Sequence, residues 1–115
     1  MNTRKLQDEL EAFARERDWK QFHSPKNLAM ALSVEAAELL EHFQWLTEDQ
    51  SHNLDAETRS AVSEELADVQ IYLLRLADVL SIDVETAVSK KIVRNAQKYP
   101  AEKVRGSARK YDSYD

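Results

Sequence analysis

Residues 25–45, PKNLAMALSVEAAELLEHFQW, decide the fold, because a strong helical pattern there carries polar residues where an ordinary buried helix would not place them. Ser24 followed by Pro25 is a favoured pairing of N-cap and first-turn residue. Beyond it Leu28, Leu32, Leu39, Phe43 and Leu46 return to one side at the helical period of about 100° per residue. Glu35 falls in the same arc and Glu38 stands at its edge. A carboxylate in an apolar stripe is costly if unpaired, so these two glutamates need either a cationic partner or a metal. The spacing predicts a helix from Pro25 to about Trp45.

Working outward, Leu6, Leu10, Phe13 and Ala14 repeat at helical spacing among charges, which predicts a first amphipathic helix from Thr3 to about Arg17. Asp18 to His23 lacks period, carries two aromatic residues and reads as a loop. On the other side, Thr47 to Asp55 is a polar connection. The longest periodic segment follows from about Ala56 to Leu80, with Val62, Leu66, Val69, Leu73, Leu76, Ala77 and Leu80 as its stripe. Ile71 and Leu74 lie outside that stripe, and a helix apolar on two faces is either central or pressed against another subunit. Asp83 offers an N-cap for a fourth helix with Val84, Ala87, Val88 and Ile92 as apolar positions and Pro100 past its end. The expected architecture is all-α: a four-helix bundle-like subunit that assembles into a homo-oligomer. Residues 1–100 form the helical, function-bearing domain and residues 101–115 a polar, loosely held C-terminal tail.

Composition narrows the function. The 115 residues and 43% apolar content suit one compact domain, and a single Gly among many Ala, Leu, Glu, Lys and Arg favours helix. The absence of Cys excludes disulfides, thiolate zinc and cysteine nucleophiles, and fits a reducing compartment. The N-terminal MNTRKLQDEL is polar, and no apolar run approaches the ~20 residues of a membrane span, so a cytoplasmic protein without a membrane partner is expected. A net charge of −5 argues against a binder of nucleic-acid polymers, which normally carries a basic face.

The chemistry-bearing residues form two acidic pairs. Glu35 and Glu38, three apart, are neighbours on one helix face, and Glu65 and Asp68 repeat the arrangement on the third helix, with Tyr72 continuing the face. Either pair alone most often reads as a solvated face. Two packed helices that bring both pairs together would create repulsion that a divalent metal relieves, and an all-oxygen site suits Mg²⁺. Glu64 competes with Glu65 for the role, but its angular position is farther from the stripe. No Glu is followed by His three residues on, which disfavours di-iron, and no P-loop, G-x-S-x-G or H-E-x-x-H motif is present. Lys91, Asn95 and Lys98 share a face of the fourth helix, flanked by Lys90 and Arg94, and are either a solvated basic face or the cations a triphosphate needs. Trp19, Phe22, Trp45 and Tyr72 are either core or platforms for a nucleobase.

The motifs Glu35-Ala-Ala-Glu38 and Glu65-Leu-Ala-Asp68 resemble the paired acidic signature of the all-α MazG-like nucleoside triphosphate pyrophosphohydrolases. The similarity is to the dCTP pyrophosphatase-like branch, through Arg17-Asp-Trp-Lys-Gln-Phe-His23, Pro25-Lys-Asn-Leu28, Glu38-Leu-Leu-Glu-His-Phe-Gln-Trp45, Tyr72, and Arg105-Gly-Ser-Ala-Arg-Lys-Tyr111. The resemblance implies a dimer of dimers, a homotetramer, that cleaves a nucleoside triphosphate between its α and β phosphates in nucleotide pool cleaning. It implies Glu35, Glu38, Glu65 and Asp68 as Mg²⁺ ligands, with Glu38 activating the attacking water. Trp19, His23, Asn27, Trp45 and Tyr72 would line the base and sugar pocket, and Lys91 and Asn95 would contact phosphate or sugar. Leu10 departs from the branch, where a His contributes to the pocket. The competing expectations are a non-catalytic helical interaction module, its carboxylates paired with Lys and Arg across an interface, and a metal-dependent hydrolase of another phosphorylated metabolite.

Overall fold

The computed structural model of the chain describes residues 1–106 and is all-α over them. There are four longer helices, α1 (Thr3–Glu16), α2 (Pro25–Glu41), α4 (Ala56–Val79) and α5 (Val84–Lys98); a 3-10 turn (Lys20–Phe22) lies between α1 and α2, the four-residue α3 (Glu48–Ser51) between α2 and α4, and the four-residue α6 (Ala101–Val104) follows α5. Nearly every start is written into the sequence as a side-chain cap. Asn2, Ser24, Thr47, Asp55 and Asp83 each accept from a backbone N–H three residues on, and Thr47 with Gln50 completes a capping box. The expected starts at Ser24-Pro25 and Asp83 are the observed ones.

The ends differ more. The second helix stops at Glu41, not at Trp45: residues 42–45 turn away, closed by Phe43 and Gln44 N–H groups on the Leu40 carbonyl at 2.9 Å. Two helices end in the left-handed region on residues other than glycine, Asp18 and Ser81, both at φ 55°. After α1, Asp18 N–H donates to the Arg15 carbonyl at 3.1 Å and Trp19 N–H to the Ala14 carbonyl at 2.8 Å. After α4, Ser81 N–H donates to Asp78 at 3.0 Å and Ile82 N–H to Ala77 at 2.8 Å. Both are Schellman closures, and Ala14 and Ala77, whose carbonyls accept the bond that spans five residues, are buried. Within the expected tail, residues 101–104 are helical and the Ser107–Tyr111 part of the quoted motif lies outside the described residues.

By compactness the chain divides into Met1–Ile82 and a second unit beginning at Asp83. In the first, α2 packs along α4 over the most extensive helix contact, and α1 packs on α4 as well. Leu28, Leu74, Ala77 and Ala14 are buried there. Leu66, counted in the stripe of the third helix, is 51% exposed, whereas Leu74, placed outside that stripe, is buried at 2%. The buried face of α4 is thus turned toward α1 as well as α2. Polar contacts fix α1 on α4: buried Gln7 donates to the Leu74 carbonyl at 3.0 Å, and Arg4 grips both Asp78 oxygens at 3.1 and 3.2 Å. In the second unit, α5 exposes Val88, Ile92 and Val93.

Candidate active site

Two features of the first unit share α4. The first is acidic. Glu35 and Glu38, one turn apart on α2, meet Glu65 of α4, and one carboxylate oxygen from each lies within 4.8 Å of the other two. Glu35 Oε2 and Glu65 Oε2 are buried without a hydrogen-bond partner. Unpartnered buried carboxylate oxygens are rare because each forfeits its hydration. Burial pushes Glu35 up to about 7 from an ordinary 4.5, and the crowding Glu65 and Glu38 carboxyls and the charge of Asp68 push the same way. Asp68, the fourth expected ligand, stands beside the trio and acts on it through its charge. Glu64 is exposed while Glu65 is half-buried, which separates the two candidates the periodicity left close.

Among the described residues no Lys or Arg pairs with this group, whereas Asp8, Glu11, Glu16 and Asp78 each hold an ion pair. Three convergent carboxylates, two bare oxygens and an all-oxygen donor set fit a hard divalent cation, so Glu35, Glu38 and Glu65 can hold a metal.

The second feature is a cavity of about 310 Å³ lined by Leu10 and Phe13 of α1, Trp19 and His23 of the connecting segment, and Ile71, Tyr72 and Arg75 of α4. Such a volume, largely apolar with few polar groups, is typical of a small-molecule site. Tyr72 lies four residues beyond Asp68 on one helix face, about 6 Å along the axis, so the cavity borders the acidic face. The connecting segment owes its shape to the Asp18 closure, which swings Trp19 back onto α1. There its ring meets Phe13 edge to face at 5.7 Å, and Arg17 stacks on the other partner of that pair, 3.6 Å from the Phe13 centroid. Gln21 donates to both the carbonyl and the carboxylate of Asp18, and Asn27 donates its side-chain amide to the Phe22 carbonyl at 3.0 Å. Trp19 and His23 therefore stand on a segment pinned at both ends.

Behind the cavity lies a charged relay. Arg75, 4% exposed, donates through Nε to His23 Nδ1 at 3.1 Å and through a terminal nitrogen to Glu11. Glu11 also receives Lys20 at 2.7 Å and Arg15 at 3.6 Å. Lys20 first, then Arg75, hold the Glu11 carboxyl down to about 2. Burial, and then the Arg75 charge, hold His23 below its ordinary 6.5.

Of the residues expected at the site, the structure brings together Glu35, Glu38 and Glu65, and separately Trp19, His23 and Tyr72. Asn27 is engaged in tying the loop, and Trp45, past the end of α2, is 87% exposed. Lys91 and Asn95 are exposed on α5 in the second unit. The sequence reading missed Phe13 and Ile71 as cavity walls, and Arg75 with Glu11 altogether. A signal existed for Arg75: it is the one charge between Leu73 and Ala77, on the Asp68–Tyr72 face, in an otherwise apolar turn. Leu10, flagged as a departure from the branch, does line the cavity.

Comparison with known proteins points to one family. The model of the MazG-like family matches residues 30–113. Human and mouse dCTP pyrophosphatase 1 are 46% and 48% identical over 101 residues, which is 86% of this chain and 59% of those proteins. The chain thus spans about three-fifths of the length of these curated relatives. The crystal structure of a pyrophosphatase from Archaeoglobus fulgidus superposes with a TM-score of 0.82 at 44% identity, covering 87% of this chain and 94% of that one.

Proposed function

This chain belongs to the MazG-like family, and from that premise we propose that it is a metal-dependent nucleoside triphosphate pyrophosphohydrolase. Its substrate in this reading is a deoxynucleoside triphosphate, with dCTP the first candidate because that is the substrate in its relatives' name. The observation that carries the reading is the unneutralised carboxylate trio beside an aromatic cavity on the same helix. In the proposed reaction water adds to the α-phosphorus, the bond from that phosphorus to the oxygen bridging to the β-phosphate breaks, and monophosphate and pyrophosphate leave.

Glu35, Glu38 and Glu65, with Asp68 adding charge, would hold Mg²⁺, which when bound neutralises charge on the phosphate oxygens. Glu38, at the edge of the trio, takes the proton of the attacking water. Trp19 and Tyr72 flank the base and His23 contacts its edge, supported by their place in the cavity wall. Asn27, Trp45, Lys91 and Asn95 complete the set as pocket and phosphate contacts, supported by the resemblance alone. The same proposal includes a cytoplasmic pool-cleaning enzyme, the helical residues 1–100 as its catalytic domain, and a dimer of dimers. For the assembly the support is the apolar surface left uncovered on α2, where Met30 and Val34 are each 56% exposed, and on α5, where Ile92 is 62% exposed. No helix among the described residues is long and apolar enough to cross a membrane. The interaction-module alternative, in which cations reach the carboxylates across an interface, predicts no turnover and no Mg²⁺-dependent rise in melting temperature.

Incubation of the protein with each deoxynucleoside triphosphate and Mg²⁺, followed by separation of products, tests the reading. Monophosphate with pyrophosphate is expected. Orthophosphate with diphosphate, or no turnover of any substrate, rejects it.

A further inference from the structure

We propose that Arg75, steered by Glu11, is a positioning residue that locks His23 into one neutral tautomer, so that the cavity offers its occupant a fixed Nε2–H donor. The role of that donor rests on reading the cavity as the base pocket.

The argument is one of donors and acceptors. A guanidinium has only donors and stays protonated at any working pH, so the ring nitrogen that faces it must be an acceptor. At 3.1 Å from Arg75 Nε, His23 Nδ1 carries the lone pair, and the proton of a neutral imidazole then sits on Nε2. The opposite tautomer would set two N–H groups against each other, and the imidazolium would add a like charge to that clash. The groups facing His23 are Arg75 and Tyr72 from α4, and behind Arg75 stand Glu11 from α1 and Lys20 from the connecting turn. The partner that meets Nδ1 is the Arg75 guanidinium.

Glu11 supplies the orientation. Arg75 has one edge on His23 and another on Glu11, so its plane is fixed by two partners. Glu11 is in turn held by Lys20 and Arg15, which leaves it charged across the physiological range. A cavity otherwise walled by Leu10, Phe13, Ile71 and aromatic faces gains from this a hydrogen-bond donor whose polarity does not change with pH. Such a donor favours a base edge that presents an acceptor and leaves an unpaired group against an edge that presents a donor.

Arg75→Met tests this with little structural damage, because the methionine fills the buried space and Glu11 keeps Lys20 and Arg15, so no charge is orphaned. Long-range proton–nitrogen NMR spectra of the metal-free, nucleotide-free chain are recorded from pH 5 to 8. In the wild type His23 is expected to hold the Nε2–H tautomer wherever it is neutral and to gain its second proton at a lower pH than a free imidazole. In Arg75→Met it should populate both tautomers and take up its second proton at a higher pH than in the wild type. With dCTP and Mg²⁺, Arg75→Met should raise KM about tenfold at pH 8, with kcat within about twofold, and the ratio of variant to wild-type KM should shrink as pH falls toward 5.5, because the imidazolium again carries an Nε2–H. Because Glu35 itself titrates in that range, variant and wild type are compared at each pH, and adding Arg75→Met to His23→Ala should raise KM no further. A wild-type His23 that titrates as a free imidazole overturns the proposal even if the variant fails to fold. So does a variant that loses thermal stability while keeping the wild-type KM and pH profile. A locked tautomer without turnover of any deoxynucleoside triphosphate would sink the nucleotide reading instead, and a His23 that titrates as a free imidazole with normal turnover would sink the positioning role alone.

Discussion

The carboxylate trio carries a stability cost that a single substitution should recover. Glu35 ionises near 7 in the fold against 4.5 in an unfolded chain, so between those values the folded state binds the extra proton. Stability is then highest below the unfolded value and is lost as pH rises through the folded one. The interval, at about 1.4 kcal/mol per pH unit, caps the cost of ionising Glu35 at about 3 kcal/mol, and water reaching this half-buried group lowers it to about 1–2 kcal/mol. Glu35→Gln removes the charge and keeps the shape. In metal-free protein at pH 8 it should therefore raise the melting temperature by about 5–10 °C, since 1 kcal/mol is worth about 4–8 °C in a domain of this size. At pH 4.5 the gain should vanish. Added Mg²⁺ should stabilise the wild type at pH 8, because a bound cation rewards the same crowding, and should do little for the variant. Differential scanning calorimetry at the two pH values, with chelator and with Mg²⁺, measures all four cases. A variant no more stable than wild type at pH 8, or one that Mg²⁺ still stabilises fully, would refute the idea that three carboxylates are forced together for a cation.

Other consequences are independent of that one. Glu38→Gln should lower kcat by about 100-fold or more while a triphosphate still binds, measured by single-turnover kinetics and equilibrium binding; unchanged turnover would remove Glu38 from the chemistry. Trp19→Ala should raise KM about tenfold with a smaller effect on kcat, the loss of one stacking face. Ser81→Gly relieves a left-handed residue at an exposed helix end and should stabilise by about 0.5–1 kcal/mol in urea unfolding without changing activity. Glu11, depressed to about 2, contributes stability that is present above 4.5 and lost as pH falls toward 2, so Glu11→Gln should flatten the acid side of a melting-temperature profile.

The amino-acid sequence by itself determined whatever depends on neighbours a few residues apart. The Ser24-Pro25 and Asp83 caps, the one-turn spacing of Glu35 and Glu38, and the preference for Glu65 over Glu64 all follow from the helical period and from hydrogen bonds of short range. Tertiary structure decided how helices are rotated and offset against one another, which no local rule encodes. That rotation put Glu65 beside the α2 pair with Asp68 at its flank, turned Leu74 inward and Leu66 outward, and left Trp45 in solvent past an earlier helix end. It also joined Glu11, His23 and Arg75, separated by up to 64 positions in the chain, into one relay. A charge inside an apolar turn is visible in sequence, but the partner that makes it tolerable is chosen only when the helices pack.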